Sequence, residues 1–376
     1  MSSKNTSINK LKVGAKKIEA RQLAKKKREA EWYNLRPILG NANWALFYLL
    51  LGGREAGKSY SVTNFFVDQW KNKGIPFTWL RLTEAASRKL LQNNAEKLID
   101  PDIRRKYDLD LVTSGNNVYE VTKRTEPDEN GKTKILEKKL MARVYAISTF
   151  YNDKGSIFDK DFLKDPNMRY NIAIDEFQRE EGEKNTFDIT YSLVNQLENL
   201  VRSTKDRIKI FFLGNTLEES SDILCAFNFI PESFGIFKLK KKRAVIHNIA
   251  PTEAYKARRA GTIADILMPK ASTFTNQIDT DTTLITKQRL YAPSYIIKFK
   301  KFSDSWFTVW DDNIIRKYKG EKKPVKAMRP YLDEQFSVDI QKNIILQFDT
   351  RCFMFSNLIT FKEFQKHVSL LKPRGA

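Results

Sequence analysis

The stretch "LLLGGREAGKSYSV", residues 49–62, runs from apolar residues through two glycines to a third glycine, a lysine and a serine. It matches G-x-x-x-x-G-K-[ST] at Gly52, Gly57, Lys58 and Ser59. Glycines let a backbone close around phosphate oxygens, and backbone N–H groups at a helix N-terminus supply positive potential. The spacing assigns Lys58 to the β- and γ-phosphates of a nucleotide and Ser59 to Mg2+. Average composition yields such a match by chance in roughly one or two chains per hundred of this length. Here the pattern also lies between a strand-like run, "WALFYLLL" at 44–51, and the helix-patterned "GKSYSVTNFFVDQWKNK". A glycine turn opening a helix, with no ligand, is the plainer alternative. The expected nucleotide-binding residues are Gly52, Gly53, Arg54, Glu55, Ala56, Gly57, Lys58, Ser59 and Tyr60, with ATP and Mg2+ as cofactors.

A second signal is "YNIAIDEF", an apolar strand that ends in Asp175 and Glu176. An acid at such a strand tip can hold the metal, and a glutamate beside it suits the base that orients an attacking water. A kinase, whose nucleophile is a substrate hydroxyl, does not need that glutamate, so the pair argues for hydrolysis. Alone it would be a solvated turn; about 120 residues after a phosphate loop it carries more weight. The strand "IFFLGN" ends in Asn215, where an amide can touch the γ-phosphate or the water; a turn-starting asparagine reads the same way. Arg202, closing the helix in "ENLVRSTKDR", suits the helix dipole, or acts as an arginine finger in a neighbouring subunit's site.

From 42 to about 225, strand and helix patterns alternate, which gives a mainly parallel sheet with helices on both faces. "PFTWLRL" reads as a strand, "EAASRKLLQNNAEKLI" as a helix, and "NVYEVTKR" with "KILEKKLMARVYAIS" as a hairpin. After 226 the texture changes. "FGIFKLKKKRAVIHNIA" is short and strand-like, and "PTEAYKARRAGTIADIL" a helix. "PSYIIKFKKFSDSWFTVWDD" reads as two antiparallel strands, "QKNIILQF" as a strand, and "TFKEFQKHVSLL" as a terminal helix. The expected division is a basic arm at 1–40, a nucleotide-binding domain at 41–225, a connecting segment at 226–262 and an α+β domain at 263–376.

Lys and Arg outnumber Asp and Glu by 66 to 45, a net charge of +21 over 376 residues. That excess points to a polyanionic partner, above all nucleic acid. Ten of the cations fall in the first 30 residues, against Glu19 and Glu29, so this segment is either an arm on DNA or a neighbouring subunit, or a loose tail. No apolar run approaches the roughly 20 residues of a membrane span, and no secretory signal is evident. Cys225 and Cys352 lack a CxxC and read as buried free thiols; His247 and His367 have no metal-ligand neighbours.

Together "GGREAGKSY", "IDEFQRE", a helix ending in arginine and an apolar strand ending in asparagine resemble the DNA-packaging ATPases of small tailed phages, the phi-29-like group. "RRAGTIADIL" and "SWFTVWDDN" look like counterparts of that family's C-terminal region, and the resemblance spans roughly residues 45–315. It implies an ASCE-type P-loop NTPase fold (α/β) with a smaller, degenerate RNase H-like α+β C-terminal domain that binds nucleic acid or capsid. It further implies that Asp175 holds Mg2+, Glu176 activates water, Asn215 reports hydrolysis, Arg202 is a trans-acting finger and Arg179 a second basic residue of the site. The family forms a homopentameric ring at the phage portal of an empty procapsid, in the host cytoplasm, and threads double-stranded DNA inward; whether a structural RNA joins is left open. The chain departs from the pattern at Glu84, where the family carries a DNA-gripping lysine. Arg81 is retained, and Arg88 and Lys89 are the nearest substitutes, with solvated helix charges as the plainer reading. The run "KLKKKR" at 238–243 either meets DNA or protects an edge strand. Two rival functions remain at this level. One is a large terminase with a two-metal nuclease drawing on Asp279, Asp281, Asp311, Asp312 or Asp349; the other is a nucleotide-gated DNA-binding or capsid-docking protein with little turnover.

Overall fold

The computed structural model describes residues 32–127, 133–150, 169–177, 189–201, 207–215, 222–231, 233–267, 284–286, 288, 290, 293–299, 305–311, 313–318, 329–332 and 338–372. Two compact units divide the chain: Met1–Leu217 with Ser233–Gln277, and Glu218–Glu232 with Ile278–Ala376.

In the first unit the chain runs through α1 (Arg36–Asn41), β1 (Phe47–Leu51), α2 (Lys58–Lys73), β2 (Phe77–Arg81), α3 (Glu84–Ala95) and α4 (Pro101–Tyr107). It continues through β3 (Leu111–Ser114), β4 (Asn117–Arg124), β5 (Ile135–Ala146), α5 (Ile147–Phe150), β6 (Tyr170–Asp175), α6 (Ile189–Val201) and β7 (Ile208–Gly214). The nine-stranded sheet has the order β3-β4-β5-β2-β6-β7-β1-β9-β8, closed at its far edge by β8 (Gly235–Leu239) and β9 (Ala244–Asn248). β5, β2, β6, β7, β1 and β9 pair in parallel, and antiparallel strands flank them on both sides.

Every residue of β6 and β7 is buried, as expected for central parallel strands covered on both faces. The crossover from β1 through α2 to β2 runs one way along the sheet, and that from β6 through α6 to β7 runs the other. Two right-handed crossovers of opposite direction place their helices on opposite faces. One face carries the largest core, in which Val62, Phe66 and Trp70 of α2 meet Tyr48, Trp79 and Phe211. Phe66 stands edge-on to both Trp79 and Phe211, and Phe211 stacks on Tyr48.

The structure departs from the sequence reading at both borders of this unit. Leu35 and Ile38 are buried in the main core, so the arm expected to end at 40 ends before this pair. β8 and β9, expected in a connecting segment, complete the sheet, because Ala244–Asn248 presents an apolar strand beside β1. β8 is the edge strand, and Lys240–Lys242 form the turn at its tip, where lysines discourage further strand pairing. The basic residues 1–30 lie outside the described residues.

The second unit contains α7 (Asp222–Ala226) and a five-stranded sheet of order β13-β10-β11-β12-β14. Its strands are β10 (Pro293–Phe299), β11 (Ser305–Trp310), β12 (Ile314–Tyr318), β13 (Arg329–Leu332) and the short β14 (Met354–Phe355). β10, β11 and β12 form an antiparallel meander, β13 runs parallel beside β10, and β14 runs parallel beside β12. α10 (Val338–Asp349) and α11 (Leu358–Leu371) pack around Phe299, Phe307, Phe355 and Phe364; α8 and α9 belong to the first unit, as Glu253–Arg259 and Ile263–Leu267. The segment "QKNIILQF", expected as a strand, is helix: Ile340, Ile344 and Phe348 recur at four-residue spacing and face one core. "PTEAYKARRAGTIADIL" is two helices rather than one, broken at Gly261, whose φ is 75°. His367 is a core residue stacked on Phe299, whereas Cys352 is exposed and Cys225 half-buried, so neither free thiol is fully buried as expected.

Candidate nucleotide site at the carboxyl ends of the strands

Open parallel sheets bind ligands beyond the carboxyl ends of their strands. Here β1, β7 and β6 are neighbours in that order and end in register: Leu51 opposes Gly214, and Leu213 opposes Asp175. Gly52 N–H donates to Gly214 O at 3.3 Å and Glu176 N–H to Leu213 O at 2.9 Å, so β7 ties the glycine loop to the acids. Asn215 follows directly, half-buried at the same edge.

The loop is held by its own chemistry. Gly57, with φ 92°, caps α2 in the left-handed region, and Glu55 also has positive φ. Lys58 is buried, and its Nζ donates to Gly52 O at 2.5 Å and Gly53 O at 2.9 Å. Burial pushes the Lys58 amine down to about 8, while the Asp175 and Glu176 charges act the other way. An amine curled onto carbonyls in this way holds a positive charge that a phosphate would stabilise better.

Ser59 Oγ faces Asp175 Oδ1 across 3.5 Å. Arg81, at the end of β2, donates to Asp175 Oδ2 at 2.9 Å and to Glu176 Oε2. Glu176 itself takes a left-handed φ of 52°, which turns its side chain out of the strand direction. Arg81 was expected on DNA; its guanidinium, 15% exposed, is instead committed to the two acids. Arg88 is exposed and paired with Glu84 at 2.5 Å, and Lys89 is exposed beside it, so neither enters the site. Tyr60 is exposed, and its hydroxyl is raised by burial and by the charges of Asp100 and Asp102, acids at the start of α4 rather than those of β6. Arg54 is exposed on the loop. Arg202 and Arg179 lie outside the described residues.

Sequence reading missed the groups that brace the loop from outside. Tyr33 N–H donates to Ala56 O at 3.0 Å, and the Trp32 ring lies where a Cβ on Gly57 would meet it at 3.2 Å. Arg259 at the end of α8 reaches Glu55 at 3.1 Å, and Arg258 lies 3.9 Å over the Trp32 ring. Tyr33 Oη is 3.3 Å from His247 Nδ1, and burial lowers the imidazole to about 4, so it is neutral. The signal lay in "EWY" and "KARR", but both fell in segments assigned to an arm and a connector.

The donors suit Mg2+. A hydroxyl and a carboxylate are hard oxygens, and magnesium is bound by one or two carboxylates together with substrate phosphates rather than by a full protein cage. Among the described residues no group of three or more His, Cys, Asp or Glu could hold a metal. None of the described helices is long and apolar enough to cross a membrane.

Comparison with solved structures bears on this arrangement. The viral genome packaging motor assembly of bacteriophage Phi-29 superposes with a TM-score of 0.61 at 16% identity, covering 91% of this chain and 99% of that one. The chain has the packaging-motor fold. The Phi-28 gp11 DNA packaging motor gives 0.58 at 15% identity, covering 93% of this chain and all (100%) of its own. No family model matches the sequence, and no curated protein matches it. With so little identity, packaging-motor likeness rests on the two-unit fold, and the site must be argued from its own residues.

Proposed function

We propose that the chain is an ATPase that drives double-stranded DNA into a phage procapsid, working in a homo-oligomeric ring. The observation that carries this reading is the convergence of Lys58, Ser59, Asp175 and Glu176 at one sheet edge, in a chain with the packaging-motor fold. Lys58 turns from Gly52 and Gly53 to the β- and γ-phosphates. Ser59 and Asp175 would hold Mg2+, which would supply charge neutralisation on the phosphate oxygens. Glu176 accepts a proton from a water whose oxygen attacks the γ-phosphorus, the bond to the bridging oxygen breaks, and ADP and phosphate leave. Arg81 holds the Glu176 Oε2 oxygen, so the guanidinium must release it before that oxygen can meet a water. Asn215, directly after the strand between the two halves of the site, would contact the γ-phosphate or the water. Arg202 serves as a finger in the adjacent subunit.

The terminase reading finds less support. β10 and β13 contain no carboxylate, and Asp349 is paired with Lys372 at 2.9 Å. Asp311 lies in a turn, and Asp279, Asp281 and Asp312 lie outside the described residues.

The test is phosphate release with and without duplex DNA, alongside binding of a fluorescent ATP analogue. Glu176→Gln is expected to keep binding and lose turnover by about 10²–10⁴. Wild-type turnover in that variant removes Glu176 as base, and absent turnover in the parent protein leaves the nucleotide-gated docking reading. Mixing Arg202→Ala with Glu176→Gln subunits is expected to restore part of the activity; assembled rings without rescue exclude a finger acting in trans.

A further inference from the structure

The opposite edge of the sheet, where the parallel strands begin, carries a row of cations that the nucleotide site does not use. Arg169, Arg207 and Arg243 each occupy the residue immediately before a strand, β6, β7 and β9 respectively. Lys209 follows in β7, and Lys73 ends α2 at the same edge. Adjacent strands lie about 4.8 Å apart, so a row from β6 through β7 and β1 to β9 extends about 15 Å. Backbone bonds confirm the adjacency: Tyr170 N–H donates to Arg207 O at 2.7 Å and Leu46 N–H to Arg243 O at 2.8 Å.

At the centre of the row two cations share one neutral acceptor. Lys209 Nζ donates to Asn43 Oδ1 at 2.9 Å, and Arg169 Nη1 approaches the same oxygen at 3.4 Å. Lys209 is buried at 8% exposure, with its amine 5.5 Å from the Tyr48 ring centre. Burial, then the charges of Arg169 and Lys73, push it down to about 8. Among the described residues no carboxylate pairs with Lys209, Arg169 or Lys73. Among the described residues the acceptor that Lys209 and Arg169 share is a neutral amide, and a cation cluster held in this way gains from an anion.

We propose that this amino-terminal edge, centred on Lys209, Arg169, Lys73 and Asn43, docks the phosphate backbone of duplex DNA. The assignment rests on the packaging reading for its choice of DNA. It places DNA contact on the edge opposite the nucleotide loop, and away from Arg88 and Lys89, which follow β2 at the nucleotide edge. Contacts of this kind hold a backbone without reading bases.

The test measures fluorescence anisotropy of a labelled 30-base-pair DNA duplex against salt, in ADP, with thermal melting to confirm folding. Arg169→Gln/Lys73→Gln alters two exposed side chains, and Lys209→Met keeps the buried stem. For each lost contact the slope of log affinity against log salt is expected to become shallower by about 0.9. Hydrolysis measured without DNA is expected to stay at the parent level. Unchanged slopes in folded variants overturn the proposal, as does a slope change confined to Arg88→Gln/Lys89→Gln. A loss seen with an RNA duplex but not with DNA overturns the choice of DNA. Failure of the parent protein both to bind duplex and to hydrolyse ATP overturns the packaging reading as well; retained DNA-stimulated hydrolysis with unchanged slopes overturns this site alone.

Discussion

At the scale of single residues, the site stores charge in an uncomfortable form. Lys58 is buried against carbonyls, and its folded-state pKa, about 8, lies below the ordinary value of 10.5. Below about pH 8 both folded and unfolded chains carry the proton, and the fold bears the full cost. As pH climbs from about 8 towards 10.5 the unfolded chain binds more protons, so stability rises through this window, by a few kcal/mol at most at about 1.36 kcal/mol per unit. Lys209 titrates in the same range, so the contribution of Lys58 is the difference between parent and variant. Lys58→Met is therefore expected to melt at or above the parent temperature at pH 7, to lose part of the rise above pH 8, and to lose stabilisation by ATP; calorimetry across pH checks all three. Arg81 holds two acids with a planar fork that a lysine cannot reproduce. Arg81→Lys is expected to cost about 2 kcal/mol in urea unfolding at pH 7. An unchanged urea midpoint contradicts the ion-pair account.

At the scale of elements, the glycine loop depends on one backbone conformation and one close approach. Gly57 has φ 92° and abuts Trp32. Gly57→Ala is expected to destabilise by about 1–2 kcal/mol from the left-handed strain alone and to weaken ATP binding at least tenfold; urea unfolding with nucleotide titration reads both. This loop was legible in sequence because each residue carries a stated role, as were β6 and β7, whose runs "YNIAID" and "IKIFFLG" are apolar throughout. α10 was not, because "NIILQF" is apolar enough for a strand in a short window, and only Ile340, upstream of it, reveals the helical period. Trp32, Tyr33 and Arg259 were missed because bracing contacts join segments far apart in the chain, and no local pattern announces them. The pairing of Arg81 with Asp175 and Glu176 was not legible for a related reason: a basic residue at a strand end has no sequence mark telling DNA from a carboxylate pair.

At the scale of the whole molecule, two units have separate hydrophobic clusters, one around Tyr48, Phe66 and Trp79, the other around Phe299, Phe307 and Phe364. Separate cores are expected to unfold in two calorimetric steps, with ATP raising only the step that belongs to the first unit. A single transition shifted as a whole by nucleotide contradicts that. On the two proposals above, the edges of the first sheet do different work: nucleotide chemistry where the strands end and DNA where they begin. The central claim is that one triphosphate and its magnesium bridge the loop at Lys58 and the acids at Asp175 and Glu176. The most direct measurement is a crystal structure with Mg2+ and a non-hydrolysable ATP analogue. The account predicts Lys58 Nζ on the β- and γ-phosphates, released from Gly52 and Gly53, with the metal between Ser59 and Asp175. A nucleotide bound elsewhere, with Lys58 still on those carbonyls, would contradict it.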